Sequence, residues 1–266
     1  MIAALNMPTA EAELFLKNHY GSRAGELAPL ANGEWSQAYT FKLDGGECVI
    51  RFGQHGEDFA KDETMSRFLC PSLPIPRVLE VGKAATGFFS VSQRAYGVVL
   101  DDLDFSGMTA ALPSLLRSLD ACGRIDLSRS HGYGVWKPDG IAPYDSWPEA
   151  LLAVAEDNDR LVGWRSRLKT FPAAYASFQA GYERLSELVE GLPQPRQIIH
   201  GDLLHNNVLV QGDRISAVLD WGNSLYGDAL YDAAWLLYWW PWYPAWAGID
   251  IRHELNHTIV GRDSSG

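Results

Sequence analysis

The stretch HGDLLHNNVLVQGDRISAVLD, residues 200–220, decides how this chain is read. Polar side chains crowd its first part: His200, Asp202, His205, Asn206 and Asn207. The apolar run VLV (208–210) follows at once, then the turn QGD (211–213), then RISAVLD (214–220). Two apolar runs around a Gly-Asp turn read as a β-hairpin, and a hairpin brings its two ends together. Asn207 at one end and Asp220 at the other can therefore meet, with Asp202 on the loop just before them. One amide oxygen and two carboxylates form a hard-oxygen set. Such a set suits Mg²⁺, which takes few protein ligands and completes its shell with water and phosphate oxygens. Any one of these residues alone is ordinary turn chemistry; together, at this spacing, they point to a site.

The rest of the chain narrows what that site serves. Its 266 residues suffice for one large domain or two lobes with a true core. With 47% apolar and 21% charged residues, the composition is globular. A net charge of −11 opposes nucleic-acid binding, which needs a basic face. It suits a cationic small molecule, although solubility alone also accounts for it. Cys48, Cys70 and Cys122 are odd in number and lack metal-ligand spacing, as expected of reduced thiols in a cytoplasmic protein. The first residues carry no basic-then-apolar signal-peptide pattern. The most apolar run, 233–249, is interrupted by Pro241 and Pro244 and is too short and broken to suit a membrane span.

Periodicity predicts a helix over 9–20 capped by Thr9, a hairpin of 38–43 and 48–52 around the turn 44–47, and a helix over 59–69. Strands follow after Pro74 and Pro76 and over 87–95. Beyond Gly97 the pattern becomes helical, over 110–122 and most of 148–190, with a last helix beginning near Asp228. The expected fold class is α+β: a strand-rich lobe, 1–95, joined to a mainly helical lobe, 96–266, with the ligand site in the cleft between.

The segments HGDLLHNN and VLDWGNSLYGD resemble the catalytic core of the aminoglycoside phosphotransferases, a branch of the two-lobed protein-kinase-like fold. ANGEWSQAYTF, LPIPRVLEVG, SQRAYGVVL, DLSRSHGYG and GDALYDAAWLLYWWPW are similar, in order, to stretches of the family's hygromycin-modifying branch. The resemblance implies that Asp202 orients the acceptor hydroxyl and takes its proton, and that Asn207 and Asp220 bind Mg²⁺. It implies that ATP or GTP is the donor. The loop around Gly33 and Ser36 would cover the triphosphate, and the backbone of Ala95 would bond the adenine edge. Phosphoryl transfer needs positioning and charge neutralisation more than covalent chemistry from the protein, which agrees with these roles. His200 is read as holding the loop, and His205 as a solvated loop residue, with a place facing the acceptor as the alternative.

Kinase folds place a Lys on the third strand and pair it with a Glu on the next helix. Here the strand reads CVIRF, and counting back from Leu69 sets Asp62 at the helix position. A longer, forked Arg51 and a shorter Asp62 compensate in reach and keep a bidentate pair possible. Glu63, the alternative, would point about 100° around the helix. A surface salt bridge of little energetic value is the plainer reading.

Trp235, Trp239 and Trp242 share a helical face if the helix survives Pro241. Aromatic faces stack on sugars and attract ammonium groups, so Trp239 and Trp242 are candidates for the acceptor wall; ordinary packing is the alternative. After residue 248 the chain reads IDIRHELNHTIVGRDSSG, where relatives continue with further helices. A disordered RDSSG tail is expected, with an acceptor pocket that is open, incomplete or rebuilt in a homodimer. Three functions stay open: a resistance kinase for a hygromycin-like aminoglycoside, a kinase for an amino-sugar or amino alcohol, and a nucleotide binder without transfer.

Overall fold

Ala12, Leu16 and Tyr20 recur every fourth residue, and all three are buried where α1 (Thr9–Tyr20) packs on a sheet. The computed structural model describes residues 7–32, 36–158 and 161–257. Pro8, not Thr9, occupies the cap of α1 and makes no side-chain bond; Thr9 is already the first helical residue. The sheet contains β1 (Ala24–Asn32), β2 (Ser36–Leu43) and β3 (Gly46–Gly53). After α2 (Gly56–Ser66) it is completed by β4 (Val78–Ala84) and β5 (Gly87–Gln93), in the antiparallel order β1-β2-β3-β5-β4. Period-2 alternation puts Tyr39, Phe41, Ile50, Phe52, Phe89 and Val91 on the face that α1 covers. Asp44 and Gly45, both at positive φ, turn β2 into β3.

Helix α2 starts three residues before the predicted 59 and ends three before 69. Pro71 disfavours helical backbone at Cys70, and 70–73 closes as a tight bridge instead. The end of α2 does not stay with the first core. Met65, Leu73 and Ile75 pack into a second, larger cluster built on α3 (Phe105–Gly123) and the 208–218 hairpin. Short β6 (Val98–Val99) precedes α3 and pairs with that hairpin.

The predicted helical stretch 148–190 is broken. It holds α4 (Trp147–Leu152), α5 (Trp164–Leu168) and α6 (Pro172–Leu188), after β7 (Gly134–Val135). Gly163 takes a left-handed conformation before α5, and Pro172 starts α6 where its missing N–H costs nothing. Then come β8 (Gln197–Ile199), β9 (Val208–Gln211), β10 (Arg214–Val218) and β11 (Leu225–Gly227), followed by α7 (Leu230–Trp239) and α8 (Ile251–Leu255). They form two small sheets, β10-β9-β6 and β7-β11-β8. Helix α7 stops at Trp239, and Trp240–Trp242 is a 3₁₀ turn, so the continuous face expected through Trp242 does not form. Pro241 has no N–H to continue the ladder. Among the described residues no helix is long and apolar enough to cross a membrane. Gly33 and the RDSSG tail lie outside the described residues.

Candidate active site

Strand β8 delivers the chain to His200, which is fully buried. Its Nδ1 accepts the Asp202 N–H at 3.2 Å, and its Nε2 donates to the Leu219 carbonyl at 2.8 Å. Those partners select the neutral tautomer with the proton on Nε2. From α7, the buried Asp232 carboxylate accepts the N–H groups of His200 (2.7 Å) and Gly201 (2.9 Å). Burial pushes the Asp232 carboxyl above its ordinary value, against the pull of these two bonds. Gly201 sits at φ 81°, and a Cβ there would stand 2.9 Å from the Asn223 carbonyl oxygen, so only glycine fits. His200 thus braces the loop that presents Asp202.

His205 is exposed, as expected of a loop residue, but it is not without partners. Its Nδ1 lies 2.9 Å from Asp202 Oδ1, and its ring meets Trp239 edge-on at 4.7 Å between centroids. His205 and Asn206 both adopt positive φ, 61° and 73°. That geometry turns their two N–H groups toward one carboxylate, Asp101, at 2.9 and 3.2 Å. The Tyr243 hydroxyl donates to the same carboxylate at 2.5 Å. Burial and that bond raise the Tyr243 hydroxyl above its ordinary value. Asp101 therefore ties the segment after β6, the HGD loop and the Trp-rich segment together. Nothing in the DD pair 101–102 marks it in the sequence.

At the open end of the hairpin the Leu219 N–H donates to the Asn207 carbonyl at 2.8 Å, which brings 207 and 220 to the same end. The Asn207 Nδ2 donates to the Asp202 carbonyl at 2.9 Å, which orients the amide and leaves its Oδ1 as the outward acceptor. Asp220 leaves the strand line in a left-handed conformation, φ 60° and ψ 71°, uncommon for a non-glycine residue. Its side chain is exposed, and among the described residues no hydrogen bond engages its carboxylate. No group of three or more His, Cys, Asp or Glu among the described residues could hold a metal by itself. One carboxylate and one amide oxygen instead fit an ion that brings water and phosphate oxygens with it, as Mg²⁺ does.

In the strand-rich lobe Arg51 Nη2 bonds Asp62 Oδ2, and the Arg51 guanidinium lies 5.1 Å from the centre of the Phe59 ring. Asp62 is buried, and its second oxygen accepts the Trp221 N–H at 2.8 Å. Burial opposes the Arg51 charge, but Asp62 and then Asp220 outweigh it and hold the guanidinium above its ordinary value. Glu63 faces away, 3.9 Å from Arg67 in an exposed pair. Ser36 opens β2 opposite Gly53. Ala95 lies between β5 and β6, and among the described residues neither its N–H nor its carbonyl has a partner. Trp239 is half-buried against His205, whereas Trp242, 5.3 Å from Trp239 between ring centres, is exposed.

A strand-rich lobe carrying a buried Arg–Asp pair, over a helical lobe carrying an HGD loop and a hairpin-end Asp, defines a phosphotransferase of the protein-kinase-like class. The chain belongs to the phosphotransferase enzyme family, whose model matches residues 26–258. It is 32% identical over 238 residues to the hygromycin-B 4-O-kinase of Escherichia coli, covering 89% of this chain and 68% of that one. It is similar to the crystal structure of aminoglycoside phosphotransferase APH(4)-Ia, with a TM-score of 0.83 and 29% identity over 97% of this chain and 86% of that one. A thermostable mutant of that protein, in a ternary complex with ADP and hygromycin B, matches with a TM-score of 0.82 and 31% identity, covering 92% and 81%. The resemblance read from the HGD segment thus holds along most of the chain, and the protein is an enzyme of the aminoglycoside phosphotransferase family.

Proposed function

We propose that this enzyme transfers the γ-phosphoryl group of ATP or GTP to a hydroxyl of a hygromycin-like aminoglycoside and so inactivates the antibiotic. The observation that carries this reading is the placement of Asp202. Its carboxylate stands between a metal-side residue, Asn207, whose amide bonds its backbone, and an acceptor-side pair, His205 and Trp239. Asp202 accepts the proton of the acceptor hydroxyl as its oxygen forms a bond to the γ-phosphorus. The bond from that phosphorus to the β–γ bridging oxygen breaks, and the nucleoside diphosphate leaves. Asn207 and Asp220 would hold Mg²⁺, which supplies charge neutralisation across the phosphates. Arg51, aligned by Asp62, faces the phosphates; Ser36 lies at the loop above them, and the free backbone groups of Ala95 meet the purine. Trp239 and Trp242 form the acceptor wall.

The similar protein crystallised with ADP and hygromycin B supports both the donor class and the acceptor. On this reading 1–95 is the nucleotide lobe and 96–266 the catalytic and acceptor lobe. Three cysteines without a disulfide suit a reducing, cytoplasmic setting. The test is nucleoside-diphosphate release with a panel of aminoglycosides that includes hygromycin B. Release should depend on the acceptor and fall by about 10² or more in Asp202→Asn, the scale of a positioned base. Near-normal turnover in that variant removes Asp202 from the mechanism, and no acceptor-dependent release with any aminoglycoside removes the antibiotic as substrate.

A further inference from the structure

Lys61 is 2% exposed, and the reaction described above gives it no task. A buried ammonium is expensive unless its hydrogen-bonding capacity is met. Here Nζ donates to the Gly222 carbonyl and to the Ser224 carbonyl, each at 2.8 Å, and lies 4.9 Å from the centre of the Trp136 ring. Both carbonyls belong to the turn that begins immediately after Asp220. The neighbouring helix residue, Asp62, accepts the Trp221 N–H of the same turn. One dipeptide of α2 therefore grips one turn by charge matching: the carboxylate takes its donor, and the ammonium takes its acceptors.

We propose that Lys61 is a positioning residue for the metal-binding carboxylate, fixing the left-handed backbone of Asp220 by holding the turn that follows it. The left-handed conformation at Asp220 is unfavourable for a non-glycine residue and persists only where surrounding structure imposes it. Trp221 is buried on one side of the turn, and Lys61 and Asp62 anchor it from α2. Because α2 also carries the partner of Arg51, the same helix sets the spacing between the phosphate-side cation and the metal-side carboxylate. Gly222 reports how close the contact is: a Cβ there would stand 2.9 Å from Asp58 Cγ on α2.

The inference rests on Asn207 and Asp220 being the metal ligands, and the experiment separates the two. Binding of Mn²⁺ to the full-length chain is measured by electron paramagnetic resonance with AMP-PNP present, alongside AMP-PNP affinity without metal. Lys61→Met keeps the buried volume and removes the donors; Gly222→Ala pushes the same turn from α2 independently. Both should weaken Mn²⁺ binding by about 10- to 100-fold, the range for residues that orient metal ligands, with metal-free nucleotide affinity unchanged. A folded Lys61→Met that binds Mn²⁺ like the wild type, while Asp220→Asn loses it, overturns the role of Lys61. If Lys61→Met does not fold, wild-type Mn²⁺ affinity in Gly222→Ala overturns it instead. Wild-type affinity in Asp220→Asn overturns the ligand assignment itself, and the proposal with it.

Discussion

His205 reaches Asp202 through its Nδ1, 2.9 Å from Oδ1, while its ring is held edge-on by Trp239. The contact orients the carboxylate without occupying its second oxygen, on the side proposed to face the acceptor. A hydrogen bond to a charged group contributes about 1.5–3 kcal/mol, so His205→Ala should lower kcat by roughly 10- to 100-fold. The nucleotide KM should stay unchanged, because nothing on the Arg51 side is touched. A fall in nucleotide affinity equal to the fall in kcat would mean that His205 merely supports the fold.

Asp101 imposes the loop shape on which that contact depends. Its carboxylate is the shared acceptor for the His205 and Asn206 N–H groups and the Tyr243 hydroxyl. Asp101→Ala leaves two left-handed residues without the partner that holds them; their N–H groups are exposed, so each lost bond costs about 0.5–1.5 kcal/mol. Tyr243→Phe removes one bond and keeps the ring stacked on Trp246, 4.0 Å away. Thermal unfolding should therefore rank Asp101→Ala well below Tyr243→Phe, and acceptor turnover should follow that order. Equal melting temperatures would show that the loop keeps its shape without Asp101.

Arg51 and Asp62 form one ion pair, but the two side chains are not equivalent. Asp62 also accepts the Trp221 N–H, so Asp62→Ala disturbs the turn after Asp220, the proposed metal ligand, as well as Arg51. A double-mutant cycle on nucleotide affinity should give a coupling of about 0.5–3 kcal/mol. Asp62→Ala alone should additionally shift the Mg²⁺ dependence, whereas Arg51→Ala should shift it less. Additive losses would dissolve the pair as a functional unit.

These residues differ in how far the sequence announced them. Asn207 and Asp220 are legible as neighbours because a hairpin converts linear spacing into proximity, whereas Asp202 lies on the loop before it and is marked by the HGD motif. Asp62 is legible through the kinase-like pairing pattern counted back along the helix, and it lies buried with Glu63 outside beside Arg67. Lys61 looks like a solvated charge in sequence, and only the tertiary approach of the 221–224 turn makes it a buried donor. Asp101 and His205 escape because positive φ at two non-glycine residues leaves no compositional mark. Whether the helix reaches Trp242 is open in the sequence, because aromatic spacing continues across Pro241 while the backbone ladder cannot.

The separation of Trp239 from Trp242 leads to a prediction about acceptor binding. Trp239 packs between His205, Trp235 and Trp242, close to the loop that carries Asp202; Trp242 is 59% exposed and packs on Tyr238 and Trp239. If a cationic aminoglycoside stacks here, Trp239→Ala should raise the acceptor KM by the equivalent of about 0.5–2 kcal/mol, the range for a cation over an aromatic face. Trp242→Ala should raise it less, because its face stays wet. The net charge of −11 adds a long-range attraction that salt weakens, since exposed charges are screened within about 8 Å at physiological ionic strength. Steady-state kinetics across a salt series should therefore show the acceptor KM of the wild type rising with ionic strength. The Trp239→Ala increment should persist at every salt concentration, because contact with a ring face is local. An acceptor KM insensitive both to salt and to Trp239→Ala would place the cationic substrate elsewhere than against this Trp-rich wall.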